Sequence, residues 1–515
     1  MAIASQIEQP AILRGPATTL APRPLYEYLA AAASECPDRP WLSDGTETLR
    51  YAEGLAQVEA WAAALAAMEV RPGDRVAVLM PNTIAFALIA FVCWRQGFVL
   101  VGLNPLYSDA TLSALIADAR PRVVVTLDTG DAAERAAAIC NPLAIPTLST
   151  SPDVGNSGSG QGASLLPCPE PGLSVLQYTG GTTGVPKGAM LSHRNMSSCV
   201  EQILFDMTEF RRGQESFIAL GPFSHVIGTT LTLALATAVA AEIVIPDRFE
   251  PEATTRFMRD RRISVIFAVP TIFGAIAASE AGQGGDWSHL RYALCGGAPL
   301  PPTIKADFES LTGGRLHQGY GCSETGAGAV FTPAAGAHPP GSVGRPMANC
   351  TVEIVGADGA PMGAGETGEI VISGPNVMEG YWAGHTPTAM RDGDVPGRFA
   401  TGDSGCIRDG ALFVVDRIKD MIIASGFNVY PAPVEAVLRA HPAIAEVAVV
   451  GAPDTYRGET VKAVVVLHPG QSLTLDVLQD FARGQLSAIE LPRQLAIVDA
   501  LPRTAIGKID KRKLR

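Results

Sequence analysis

The nine cysteines, at positions 36, 93, 140, 168, 199, 295, 322, 350 and 406, include no Cys-x-x-Cys pair, and their number is odd. That excludes a paired zinc framework and a disulfide scaffold, and it fits thiols kept reduced in a cytosol. Charge is scarce, at 17% of residues against 47% apolar, so the chain is globular rather than disordered. Basic excess is absent. A net charge of −12 excludes nucleic acid or an anionic membrane as an electrostatic partner. The first residues, Met1-Ala-Ile-Ala-Ser-Gln-Ile-Glu-Gln-Pro10, lack the basic region and apolar core of a secretory signal. No internal repeat is visible. One run, Phe217–Ala241, carries no Asp, Glu, Lys or Arg and scores as membrane-like on hydropathy alone. Gly221-Pro222 breaks it, however, and Ser224, His225, Thr229, Thr230 and Thr232 would need partners in lipid, so a short strand and a buried helix are expected and no transmembrane segment.

A chain of 515 residues exceeds one compact core, and a large domain with a smaller one is expected. Residues 1–22 read as irregular. Helices are predicted at 25–33, 51–68, 83–95, 108–118 and 131–139, alternating with strands at 75–80, 98–102 and 122–126. That order implies a doubly wound, mostly parallel sheet. The Ser-, Gly- and Pro-rich stretch 146–171 reads as an exposed linker, and a second alternating series runs from about 216 to 325. Beyond Pro340 the texture changes to short strands with glycine turns, among them a hairpin around Asp409-Gly410, which suggests a small β-barrel. A final α+β segment holds helices at 432–440 and 473–486 and strands at 446–450, 462–467 and 494–498. The expected fold is therefore α/β: two alternating sheets and a β-barrel over 1–415, a hinge at 416–420, and a C-terminal α+β domain over 421–515.

The densest chemistry lies in Tyr178-Thr-Gly-Gly-Thr-Thr-Gly-Val-Pro-Lys187-Gly188. Glycines let consecutive N–H groups converge on one anion, threonine hydroxyls add donors, and a lysine adds positive charge for phosphate oxygens. It is not a Walker loop, which needs Gly-Lys-Ser/Thr at the mouth of a helix. Here Pro186 precedes the lysine and Gly188–Leu191 reads as a strand, giving a strand–loop–strand flap over a polyphosphate. Ser192 then reads as the cap of a helix that begins at His193. By composition alone, a glycine-rich hairpin without a ligand fits the same residues.

The extended run Leu176-Gln-Tyr-Thr-Gly-Gly-Thr-Thr-Gly-Val-Pro-Lys-Gly-Ala-Met-Leu-Ser-His-Arg-Asn195 resembles the AMP-binding signature of the acyl-adenylate-forming superfamily, and its wording is most similar to bacterial long-chain fatty-acid–CoA ligases. Further motifs follow in the family's order, so the resemblance spans about residues 50 to 515. It implies that Thr179, Gly180, Gly181, Thr182, Thr183, Gly184 and Lys187 hold the ATP phosphates, with Thr183 and Lys187 acting in catalysis. Gly296-Gly297-Ala298-Pro299 is by itself an ordinary turn after a strand; in the family it flanks the adenine. In Gln318-Gly319-Tyr320-Gly321-Cys322-Ser323-Glu324-Thr325, a tyrosine between glycines can lie against a purine. Glu324 suits Mg²⁺, which prefers carboxylate and phosphate oxygens. Ser323 stands where the family usually has threonine and keeps the hydroxyl.

A lone His225 fits a satisfied core histidine near the end of a strand; the resemblance instead makes it an acyl-pocket residue, with Val226, Thr229, Gly297 and Cys322. Small residues at 228, 297 and 326–328 suggest room for an acyl tail. Asp403, a trivial turn residue by pattern, and Arg417 resemble the ribose-binding pair, although the tryptophan that often precedes the aspartate is absent. Ile422-Ile-Ala-Ser425-Gly426-Phe427-Asn-Val-Tyr-Pro431 resembles the stretch lining the pantetheine channel, and Lys419 the hinge. Leu501-Pro-Arg-Thr-Ala-Ile-Gly-Lys508 resembles the catalytic-lysine motif. Glu490 departs from the family's common lysine.

The implied activity uses ATP, Mg²⁺ and CoA. A carboxylic acid, of medium to long chain or alternatively cyclic or aromatic, becomes acyl-AMP and then acyl-CoA, AMP and pyrophosphate. A mobile C-terminal domain would swing about Lys419 between the two steps. A ligase that loads a carrier protein, or a silent binding protein of the same fold, are the competing readings. The expected location is the cytoplasm, and oligomeric state is not legible.

Overall fold

The computed structural model describes residues 11–129, 131–150, 172–179, 187–333, 338–382, 397–424, 427–454, 458–483, 485–503 and 509–515. By contacts the chain forms two compact units. The larger holds Arg14–Thr351 and Ile372–Phe399; the other holds residues up to Leu13, Val352–Val371 and Ala400–Arg515.

Within the larger unit, one seven-stranded sheet has the order Gly380–Tyr381, Lys187–Ser192, Leu173–Thr179, Val99–Leu103, Arg75–Leu79, Val123–Leu127, Thr147–Thr150. Its centre is parallel: Arg75–Leu79 pairs in register with Val99–Leu103 on one side and Val123–Leu127 on the other. These strands are continuous apolar runs because both faces are covered. Thr147–Thr150 adds a parallel edge strand beside Val123–Leu127, so the stretch expected as linker from 146 begins inside the sheet. The backbone needs that partner there: Val124 N donates to Pro146 O.

A nine-stranded sheet runs from Arg345–Pro346 through Val330–Phe331, Leu316–Tyr320, Tyr292–Cys295, Val265–Ala268, Ser216–Ile218, Glu242–Val244 and Pro40–Ser43 to Thr48–Arg50. The last two strands, forty residues into the chain, are too short to show a period in the sequence; Pro40–Ser43 exists by pairing with Glu242–Val244, and Thr48–Arg50 by pairing with Pro40–Ser43. The helix Ile84–Gln96 is apolar all round, and every residue but Arg95 is buried. Thr83 Oγ1 caps it by accepting from Phe86 N, and Gly97 ends it at φ 69°. The uncharged run at 217–241 forms the short strand, then a π-helix over Ile227–Ala234 continuing into Leu235–Ala238. Among the described residues no helix is long and apolar enough to cross a membrane.

The region expected as a small barrel is a five-stranded sheet, ordered Ile12–Arg14, Thr351–Val355, Gly368–Ser373, Arg398–Arg408, Ala411–Arg417, most of whose residues fall in the other unit. Its first strand falls in a stretch that reads as irregular. The Asp409-Gly410 hairpin is present, with φ 50° and 70° at the two turn residues, the left-handed pair of a type I′ turn. This sheet groups with the C-terminal segment and not with the rest of residues 1–415. One link is the Asp416 carboxylate, which accepts from Ala432 N at 2.6 Å at the start of helix Pro431–Arg439. The C-terminal sheet follows the expected order, with Ile444–Asp454 and Gly458–Leu467 antiparallel over ten pairs and Gln494–Ile497 parallel to the latter.

Candidate active site

Thr179 ends one strand of the flap and Lys187 begins the other, and the two are paired across the ladder. Residues 180–186, with Gly180, Gly181, Thr182, Thr183 and Gly184, lie outside the described residues, as do Ser425, Gly426 and Lys508. The base of the flap is firmly held. Tyr178 donates to Asp118 Oδ2 at 2.5 Å, and burial together with that carboxylate raises the phenol far above its ordinary value. On the return strand, Ser192 Oγ accepts from Asn195 N while Asn195 Oδ1 accepts from Ser192 N. This reciprocal box starts the helix His193–Asp206 where the sequence predicts it.

Glu324 lies in the single turn Ser323–Thr325, half-buried. Tyr381, absent from the motif reading, donates its hydroxyl to Glu324 Oε1 at 2.7 Å. The Lys187 ammonium stands 5.3 Å from the centre of the same tyrosine ring. Flap lysine and turn glutamate, 137 residues apart in the chain, are thus brought to one aromatic side chain. The turn has its own clamp. Asn376 is fully buried, and its Nδ2 donates to Thr325 O at 3.0 Å and Gly328 O at 2.7 Å. Between those carbonyls the chain passes through Gly326 at φ 66° and Ala327 at φ 111°, a conformation an alanine holds only when its surroundings impose it.

The loops expected to flank the adenine leave adjacent parallel strands, since Cys295 pairs with Gln318. Gly297 at φ 79° turns the first of them at the carboxyl edge of the sheet, ahead of Ala298 and Pro299, where open α/β sheets bind ligands. The glycines beside Tyr320 have a packing reason: a Cβ on Gly319 would lie 2.8 Å from the Phe331 ring, and one on Gly321 would lie 2.4 Å from Ala327 O. Cys322 N donates to Thr325 Oγ1, closing the turn that carries Ser323 and Glu324.

His225 is not at a strand end; it lies in a turn, with its N donating to Pro222 O and its Nδ1 accepting from Ile227 N. Val226 is buried, and the buried Thr229 hydroxyl donates to Phe223 O at 2.7 Å, completing the entry to the π-helix. Gly228 does not open space for a tail, because a Cβ there would meet Pro222 O at 2.1 Å. Gly328 likewise faces the Phe331 ring and Met347 at 3.2–3.3 Å.

In the C-terminal unit, Asp403 and Arg417 face each other across the hairpin ladder, with Arg417 Nε 2.9 Å from Asp403 Oδ1. Asp403 is buried and Arg417 exposed, so the guanidinium holds the carboxylate from its solvent side. Lys419 lies in the turn Ile418–Asp420, where desolvation and the nearby Arg417 charge lower its ammonium to about 8. Arg515 donates to Lys419 O at 3.1 Å. Phe427 opens the strand Phe427–Val429. Arg503, within the Leu501–Lys508 motif, and Ile509, just after it, are bridged antiparallel. Glu490 accepts from Ser487 N and Oγ, so it caps its own turn.

Among the described residues no cluster of three or more His, Cys, Asp or Glu could hold a metal. A lone carboxylate of Glu324's kind suits a cation whose remaining ligands are phosphate oxygens and water, which is how Mg²⁺ is commonly held.

The strands of the glycine-rich flap and the acidic turn thus lie together on a two-sheet α/β unit. The AMP-binding enzyme family matches residues 29–382, and the AMP-binding enzyme C-terminal domain matches 433–508. The chain belongs to this family, as an AMP-forming acid–thiol ligase. A feruloyl-CoA synthase from Amycolatopsis sp is 37% identical over 92% of this chain and 94% of that protein. A long-chain-fatty-acid–CoA ligase from Bacillus subtilis is 32% identical over 95% and 94%. Among solved structures, ATP-bound MatB from Rhodopseudomonas palustris superposes with a TM-score of 0.87 at 29% identity, covering 96% of this chain and 98% of that one. The o-succinylbenzoate CoA synthetase MenE from Bacillus subtilis, in complex with its acyl-adenylate, gives 0.84 at 26% identity, covering 97% and 99%.

Proposed function

We propose that this ligase acts in the cytoplasm on a medium- to long-chain fatty acid, forming the acyl-AMP and then the acyl-CoA with release of AMP and pyrophosphate. The observation that supports its first step most directly is the convergence of Lys187 and Glu324 on Tyr381. A carboxylate and a triphosphate repel, so the protein must supply placed positive charge rather than a covalent nucleophile. In this reading Thr179, Thr182, Thr183 and Lys187 grip the departing pyrophosphate, and Glu324 holds Mg²⁺. The ion supplies charge neutralisation at the phosphate oxygens when bound. Gly297–Pro299 and Tyr320 flank the adenine, and Asp403 accepts from the ribose hydroxyls with Arg417 beside it. Lys508 places its ammonium between the acid and the α-phosphate. For the thioester step, Ser425, Gly426 and Phe427 line the pantetheine path, and residues 416–420 hinge a C-terminal domain beginning at 421.

The similarity to a feruloyl-CoA synthase favours a second reading, an aromatic acid, at the same site. Packing by Gly228 and Gly328 removes part of the argument for a long tail. Pyrophosphate release across fatty, cyclic and aromatic acids, each with and without CoA, separates the readings. Turnover restricted to aromatic acids would refute the fatty-acid reading, and adenylation without CoA-dependent AMP release would refute CoA as acceptor.

A further inference from the structure

Tyr381 belongs to a short segment bonded on both sides to the parts the reaction needs. Tyr381 pairs with Ala189 across the ladder, Trp382 N donates to Gly188 O and Glu379 N donates to Met190 O, all on the return strand of the flap. On the other side, Met378 N donates to Glu324 O at 2.8 Å. The next residue is braced as well, since Trp382 Nε1 donates to Asp118 O and Arg75 stacks on the indole. The tyrosine ring is therefore a fixed object between two charged side chains that are each long and flexible.

We propose that Tyr381 is a positioning residue for adenylation: its hydroxyl fixes Glu324 and its ring face carries the Lys187 ammonium, so metal-ligand carboxylate and flap cation are in register before the nucleotide arrives. The phenol occupies Oε1 of Glu324, while a carboxylate's second oxygen is a further acceptor. A hydrogen bond to an ionised acceptor is strong enough to hold one rotamer, and an ammonium over an aromatic face is held without neutralising it. The inference rests on the proposed roles of Lys187 and Glu324 in binding Mg²⁺ and ATP.

Calorimetric titration of ATP, with and without Mg²⁺ and with no acid present, tests it. Tyr381→Phe keeps the ring and loses only the hydroxyl. It should leave the Mg²⁺-free affinity within about twofold of wild type while cutting the Mg²⁺-dependent gain in affinity about tenfold, a coupling of roughly 1.4 kcal/mol. Tyr381→Leu should weaken the Mg²⁺-free affinity as well. In a Glu324→Gln background, Tyr381→Phe should change the Mg²⁺ response no further, because the two act as a unit. A Tyr381→Phe protein that retains the full Mg²⁺ gain, or a loss fully additive to that of Glu324→Gln, overturns the inference alone. Wild-type protein that binds ATP no better with Mg²⁺ overturns the functional reading and the inference with it.

Discussion

Replacing Asn376 by alanine removes both donors that close the Glu324 turn. The side chain is fully buried, so the carbonyls of Thr325 and Gly328 lose partners at 3.0 and 2.7 Å with no solvent to replace them. An abandoned buried acceptor costs ~1–3 kcal/mol, so the two together set an expected destabilisation of ~2–6 kcal/mol. Ala327, at φ 111°, then has less to hold it, and the turn should relax toward an ordinary conformation. Because a misplacement of ~1 Å in a catalytic group costs about 10²-fold, adenylation should fall 10- to 100-fold although Asn376 touches no substrate in this reading. Urea denaturation reads the stability, and amide exchange at Gly326 and Ala329, bonded to Ser323 O and Tyr320 O, reads the turn. An unchanged midpoint together with unchanged exchange at those amides would show that Asn376 does not hold the turn.

Gly228→Ala should lower stability and expression without shifting chain-length preference, since its Cβ meets backbone at 2.1 Å; an intact variant with altered acyl preference would restore the pocket role. His193 is buried, accepts from Leu25 N through Nδ1, and has its pKa pushed down to about 4 by burial. The unfolded chain binds that proton near pH 6.5 and the native one does not, so stability is lost as pH falls from about 6.5 to 4, by roughly 3 kcal/mol. His193→Asn keeps an acceptor and should make this acid limb shallower, leaving the share of the equally buried His317; superimposable pH–stability curves would contradict it. Lys508→Ala should cut acyl-AMP formation by about 10²–10³, whereas Gly426→Ile should spare pyrophosphate release and block thioester formation. If both variants lose both steps equally in stopped assays, two separate roles are not supported.

Much of the molecule is legible in one dimension because its information is local. The alternation of apolar runs with amphipathic stretches from Arg75 to Cys140 sets strand and helix within a residue or two, since each run needs burial on both faces. Ser192 is a readable cap, and Asp409-Gly410 a readable turn, because left-handed φ values admit few residue types. The order of the glycine, acidic and lysine motifs likewise suffices to identify the chemistry of an acyl-adenylate ligase. Other features are decided only when distant segments meet. Pro40–Ser43 and Ile12–Arg14 are strands because neighbours offer edges, not because three or four residues carry a period. Gly228 looks like room in the sequence and proves to be close backbone contact. Tyr381 and Asn376 carry no motif of their own. What they do depends on hydrogen bonds and a cation contact spanning 48 to 194 residues of chain. Pairwise geometry of that kind arises from the register of sheets, and a linear pattern does not contain it.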